Sequence, residues 1–133
     1  MPKLGAHLVG QAFVFVLEAA DKGIPVHPNE RILLTWMCNT AKDTDERPLY
    51  FGGREHAAMG LGRRVPGEPE LDDPDRESKN QTRRNAFEVV KRATKGLVDL
   101  GAVRKVRHGK PGRNAEYAIQ VNTPPRDRAA RLS

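Results

Sequence analysis

The polar residues best able to do chemistry in this chain are basic, and they are concentrated in one stretch. Residues 79–113 contain eleven Lys and Arg against two acids, Glu88 and Asp99, a net charge of +9 in a 133-residue chain whose total is +6. Residues 68–77, just before this stretch, contain six acids and one Arg. Segregation of like charges along a sequence is typical of a surface that binds a polyanion. A surface charged only for solubility is the alternative interpretation.

Patterns that would indicate catalysis or metal binding are missing from the sequence. The four histidines, His7, His27, His56 and His108, are dispersed and form no pair with the spacing of a zinc site. No Gly-rich segment carries the Lys-Ser or Lys-Thr of a phosphate-binding loop. We therefore expect no enzymatic activity, no metal and no cofactor.

Composition and cysteine usage indicate where such a chain would work. Charged residues make up 30% of it, and its longest apolar stretch, residues 13–17, falls far short of the roughly 20 residues needed to cross a bilayer. The single cysteine, Cys38, cannot form an internal disulfide bond, which fits a reducing compartment. We expect a cytoplasmic, nucleoid-associated protein with no membrane partner.

The basic stretch opens with the most regular helical pattern in the chain, over residues 79–100. Ser78 and Gln81 have the spacing of a capping box, apolar residues recur on one side, and Gly101 is a typical C-cap. An α-helix of this kind fits the major groove of DNA, where Arg pairs with guanine and Gln or Asn pairs with adenine. The residues expected to read bases are Gln81, Arg84, Asn85 and Glu88, and those expected to contact the DNA backbone are Lys79, Arg83, Lys91, Arg92 and Lys95. Glu88 has the alternative of supporting a nearby Arg through an ion pair.

A β-hairpin is predicted after this helix, from residues 102–108 and 115–121. Both segments are rich in β-forming residues, and a turn containing Gly and Pro separates them. Its basic residues are well placed to contact phosphates or the minor groove. They are Arg104, Lys105, Arg107, Lys110 and Arg113. The aromatic residues Phe87 and Tyr117 stand on apolar faces, so we expect them to pack in the core rather than to stack on bases.

The first half of the chain must supply the elements that support this helix and hairpin. Residues 8–20 predict a helix that is apolar on most sides, which needs cover from the core or from a second copy of the chain. A second helix is predicted to begin at Pro28, with His27 as an unusual N-cap. A short strand at 49–51 and a short helix at 54–59 follow, and Arg54 on that helix is a further candidate for backbone contact.

The order of these elements resembles that of a winged helix-turn-helix domain. Residues 96–103, Gly-Leu-Val-Asp-Leu-Gly-Ala-Val, are similar to the junction by which such domains pass from the recognition helix into the wing. Residues 49–55 resemble a stretch of winged-helix proteins from actinobacterial plasmids, phages and integrative elements. The resemblance implies a mainly α fold with a small β-hairpin wing (α+β) and an extra N-terminal helix. One departure is the long segment 60–78 between the two helices of the motif.

The resemblance divides the chain and gives it an expected function. Residues 1–25 would form an N-terminal dimerisation helix, residues 26–121 the DNA-binding domain with a flexible acidic loop at 63–78, and residues 122–133 a disordered tail. We expect a homodimeric, sequence-specific double-stranded DNA-binding protein that acts as a transcriptional regulator or repressor. The alternatives are an origin-binding replication initiator of a plasmid or phage and, from another class, a winged-helix protein-interaction module.

Overall fold

The computed structural model describes residues 6–41 and 48–128, which form four helices and three strands. In chain order these are α1 (Ala6–Asp21), α2 (Pro28–Thr40), β1 (Leu49–Tyr50), α3 (Gly53–Gly60), α4 (Arg76–Leu100), β2 (Val103–Arg107) and β3 (Glu116–Ile119). The predicted α+β class with a β-hairpin after the long helix is confirmed.

The three strands form one small antiparallel sheet in the order β1-β3-β2. Leu49 pairs with Ala118 across β1 and β3, and Val103 pairs with Ile119 across the hairpin. The short strand β1 lies between α2 and α3 in the sequence but joins the edge of the hairpin in space. Helix, strand, helix, helix and hairpin therefore follow each other in a winged-helix-like layout from α2 onward.

The core lies between α2, α4 and the sheet, with α1 packed on the outside of α2. Its largest fully buried side chains include Phe15 from α1, Leu33 and Met37 from α2, and Leu97 from α4. Burial of such residues is the main stabilising contribution in a domain of this size. The core thus fixes α4 relative to the sheet, and so positions the two elements that carry most of the basic residues.

Two helix starts differ in how well local sequence predicts them. His27 caps α2 as expected: its Nδ1 accepts a hydrogen bond from the Asn29 N–H, and Glu30 accepts one from the His27 N–H. The capping box predicted at Ser78 is not formed, because α4 already begins at Arg76. A turn closed by hydrogen bonds to Asp73 starts the helix one turn earlier.

The acidic loop packs partly against the body of the protein. The side chain of Val65 is half-buried against the core, and the guanidinium of Arg83 donates to the Pro66 carbonyl at 2.6 Å. Leu71, in contrast, is 87% exposed. The predicted loop at 63–78 ends three residues early, since residues 76–78 are helical, and its flexibility stays a prediction.

The prediction of a disordered tail at 122–133 is wrong for residues 122–128. The Arg126 N–H donates to the Leu100 carbonyl at 2.8 Å, Pro125 is buried, and Arg128 Nη1 lies 2.6 Å from Glu30 Oε2. The physical reason is that Glu30 is a buried carboxylate, and a buried charge requires a partner. Residues 1–5 of the predicted N-terminal unit and 129–133 of the tail lie outside the described residues.

Candidate nucleic-acid interface

A basic groove runs between α4 and the hairpin, and we call it the α4–hairpin groove. It encloses about 810 Å³, and its lining residues come from α3, α4, β2 and β3. Five of them are cationic: Arg54, Arg84, Lys91, Lys95 and Lys105. Among the described residues that line it, Glu88 is the one acid. The fold therefore collects positive charge from three separate elements on one face.

Aromatic rings form the floor of this groove and hold two of its cations. The guanidinium of Arg54 stacks on Phe87 at 4.0 Å from the ring centroid, and the ammonium of Lys105 is 5.8 Å from the centroid of Tyr117. Such cation–π contacts are attractive and fix the direction of a long side chain. The two cations are thereby held over the groove before any ligand arrives.

The hairpin tip extends the basic face toward the start of α3. Lys110 and Arg113 exchange two backbone hydrogen bonds of 2.9 and 2.8 Å, which makes a tight turn. The Asn114 amide donates to the Phe51 carbonyl at 3.1 Å, and its side chain fills the place that a Cβ on Gly53 would take. Gly53, at φ +84°, lets the tip approach α3 this closely.

The residues predicted to read bases are all exposed on α4, and Gln81 is hydrogen-bonded to both Arg84 and Asn85. Gln81 Nε2 donates to Asn85 Oδ1 at 2.8 Å, and Arg84 Nη2 donates to Gln81 Oε1 at 2.7 Å. Glu88 forms an ion pair of 3.2 Å with Arg92, as the alternative interpretation of this acid allowed. Arg84 and Glu88 line the α4–hairpin groove, whereas Gln81 and Asn85 are not among its lining residues.

Two of the predicted backbone contacts are not brought to this face. Lys79 Nζ lies 2.6 Å from Asp73 Oδ2, and this hydrogen bond lowers the pKa of the Asp73 carboxyl and raises the pKa of Lys79. The side chain of Arg83 is only 14% exposed and lies 3.5 Å from Glu55. Lys79 thus connects α4 to the acidic loop, and Arg83 connects α4 to α3. These contacts direct both cations away from the α4–hairpin groove.

The remaining basic residues differ in how freely they can reach a ligand. Lys95 pairs with Asp99 of the same helix at 2.8 Å, and Arg107 of β2 lies 3.8 Å from Glu116 of β3. Both cations are therefore partly neutralised by a neighbouring acid. Arg104 is exposed on β2 outside the groove lining. Lys91, on the groove wall, is also exposed.

Sequence reasoning missed the contribution of the aromatic residues to the groove. Both side chains are half-buried and line the groove: Tyr117 packs against the core as expected, whereas Phe87 lies outside the core cluster. The signal was present in the helical spacing: Ala86, Ala93 and Leu97 are the buried centre of α4, and Phe87 stands at its edge. A large apolar residue that is flanked by basic residues at the edge of the buried side of a helix indicates the lining of a surface groove rather than a core position.

A hydrogen-bonded cluster fastens α3, which carries Arg54, to its neighbours. The Trp36 indole N–H donates to His56 Nδ1 at 3.1 Å, and the Tyr50 hydroxyl lies 2.8 Å from the same nitrogen. Burial raises the pKa of Tyr50 to about 12, with a hydrogen bond to Trp36 acting in the opposite direction. The cluster joins α2, β1 and α3, so that Arg54 is carried on a rigid element.

Neither a metal site nor a membrane span is found in the part of the chain that the structure describes. There, no three His, Cys, Asp or Glu side chains come together in a way that could bind a metal ion. Likewise, within residues 6–41 and 48–128 no helix has the length and apolar character required to cross a bilayer.

A scan of protein-family models and searches of curated proteins and of solved structures give no match to this chain.

Proposed function

We propose that this protein binds double-stranded DNA, with α4 in the major groove and the hairpin against the adjacent backbone, and that it acts in the cytoplasm as a regulator of transcription. The proposal rests on the α4–hairpin groove, which is lined by cations from α3, α4 and β2. The hairpin tip, which borders a neighbouring cavity, adds Lys110 and Arg113. DNA has a regular array of phosphates, and a cationic face of this kind is its electrostatic complement.

The dimensions and side chains of α4 suit base recognition. A helix with its side chains is about 10–12 Å across, and the major groove is about 12 Å wide. Arg84 and Asn85, in the exposed first half of α4, carry the groups that pair with guanine and adenine. The hairpin cations Lys105 and Lys110 would contact phosphates, which positions the helix but carries no sequence information.

We further propose that the protein is a two-fold dimer, with α1 of a second copy as the partner. The side chains of Phe13, Val14 and Leu17 are 57%, 55% and 61% exposed on the outer side of α1. Phe13 also borders a shallow groove with Ile32 and Trp36 on α2. Protruding side chains and a groove on the same surface are what a self-complementary, isologous interface requires. Two half-sites one helical turn apart would then be read by the two copies of α4.

The DNA proposal is tested with a random-sequence duplex at a series of salt concentrations. We expect the logarithm of the binding constant to fall linearly with the logarithm of salt, and the slope to flatten by about two in the double variant Lys110→Ala/Arg113→Ala. The matched control is Arg63→Ala/Arg64→Ala, which removes the same charge from exposed positions of the loop. Affinity that does not change with salt, or equal slopes for both double variants, would contradict the proposal.

The dimer is tested separately by sedimentation equilibrium at micromolar concentration. We expect a mass near twice 14.8 kDa that returns to the monomer value in Leu17→Glu. Leu71→Glu is the matched control, because Leu71 is also exposed but lies on the acidic loop. A monomer mass for the unmodified chain, with and without DNA, would exclude this interface.

A further inference from the structure

A second cavity lies beneath the hairpin tip, and we call it the wing cavity. It has a volume of about 500 Å³ and is bounded by α2, α3, α4 and the hairpin. Ligand sites for small molecules usually measure about 300–1,000 Å³. The wing cavity is therefore large enough for a small organic molecule.

The inner wall of the wing cavity is apolar. Met37, Ala57 and Val90 line it, and their side chains are 1%, 3% and 7% exposed. They come from α2, α3 and α4, so the wall is part of the core of the protein. A ligand placed against these three side chains would need an apolar body, because they offer no hydrogen-bonding group; Tyr50, Thr94 and Tyr117, which carry hydroxyls, line other parts of the cavity.

The outer rim of the wing cavity is cationic. Arg54, Lys110 and Arg113 line it, together with the neutral amide of Asn114. None of the described residues around this cavity is acidic. The rim is suited to a single negative charge at the end of an apolar body, since guanidinium and ammonium groups form charge-assisted hydrogen bonds to carboxylates.

From this division we infer that the wing cavity binds a small organic anion with an apolar body, of the class of aromatic carboxylates. The apolar part would lie against Met37 and Val90, and the carboxylate would lie between Lys110 and Arg113. The regulatory part of the inference rests on the proposed DNA binding: Arg54 and the two tip cations also belong to the proposed DNA surface. An anion held by them would compete with phosphate, so the ligand would release DNA.

Ligand binding is tested without DNA, using 2-naphthoate as the probe and the methyl groups of methionine as NMR reporters. Met37 lines the wing cavity, whereas Met59 is 63% exposed at the end of α3 and serves as an internal control. We expect 2-naphthoate to shift the Met37 methyl signal in a saturable way and to leave Met59 in place. The neutral 2-naphthamide should bind at least about tenfold more weakly, as expected for loss of a charge-assisted hydrogen bond.

The variants separate this inference from general binding of an apolar anion. Lys110→Ala/Arg113→Ala should weaken 2-naphthoate by at least about tenfold, and Arg63→Ala/Arg64→Ala should leave its affinity unchanged. An unmoved Met37 signal at millimolar probe, equal shifts at Met59, or equal affinity for both double variants would overturn the inference. Competition with a DNA duplex is measured afterwards: a chain that binds 2-naphthoate but no DNA would keep the ligand site and refute the proposed function.

Discussion

A glycine near the C-terminal end of α4 gives the sharpest test of the packing around the buried carboxylate of Glu30. Gly96 is buried, and a methyl group added to it would overlap Glu30 Oε2. In an exposed helix, replacing Gly by Ala stabilises a protein by about 1 kcal/mol. At this position we expect the opposite sign, because Glu30 would have to move.

The magnitude follows from the hydrogen bonds that Glu30 would lose. Its carboxylate accepts from the His27 N–H at 2.9 Å and from Arg128 Nη1 at 2.6 Å, and only 8% of its side chain is exposed. Each charge-assisted hydrogen bond contributes about 1.5–3 kcal/mol. Losing most of the two contributions, offset by the gain of about 1 kcal/mol in helix propensity, leaves Gly96→Ala destabilised by about 3 kcal/mol.

Urea unfolding of Gly96→Ala, of Glu30→Ala and of the double variant measures this effect. Gly96→Ala should destabilise the unmodified protein but stabilise the Glu30→Ala variant, in which the carboxylate is absent. If Gly96→Ala has the same effect in both backgrounds, Glu30 does not pack against Gly96 of α4.

Two further predictions concern the hydroxyl of Tyr50 and the acidic loop. The pKa of Tyr50 is about 12 in the folded protein against an ordinary value of 10.0, so its contribution to the free energy of unfolding is complete below pH 10 and should decline by about 2 kcal/mol by pH 12. Tyr50→Phe should therefore lose less stability than the unmodified protein over this interval in denaturant titrations, and parallel curves would contradict the assignment. In the loop, Val65→Ala should lower the free energy of unfolding by about 1 kcal/mol while Leu71→Ala leaves it within about 0.5 kcal/mol. Equal losses in thermal melts of these two variants would show that the docking of Val65 adds nothing.

Local patterns in the sequence predict the elements of this fold better than their contacts. The helix that ends before Gly101 and the hairpin after it follow from spacing and turn residues, and the cap of α2 by His27 follows from its position before Pro28. These features depend on neighbours within a few residues. For this reason they are visible without the structure.

Contacts between distant residues could not be predicted in this way. Arg128 and Glu30 are 98 residues apart, and no local pattern marks the tail as part of the body. The stacking of Arg54 on Phe87 also joins two elements, and it decides that Phe87 floors the α4–hairpin groove rather than fills the core.

Amide NMR with a random-sequence duplex at low salt tests most directly that the α4–hairpin groove and its hairpin tip form the nucleic-acid interface. We expect the largest shift changes on residues 81–95 of α4, on residues 104–113 of the hairpin and at Arg54, and we expect them to disappear as salt is raised. Residues of α1 should be unaffected by a duplex too short for two half-sites. The largest changes on α1 or on the acidic loop, with α4 and the hairpin unmoved, would contradict this interface.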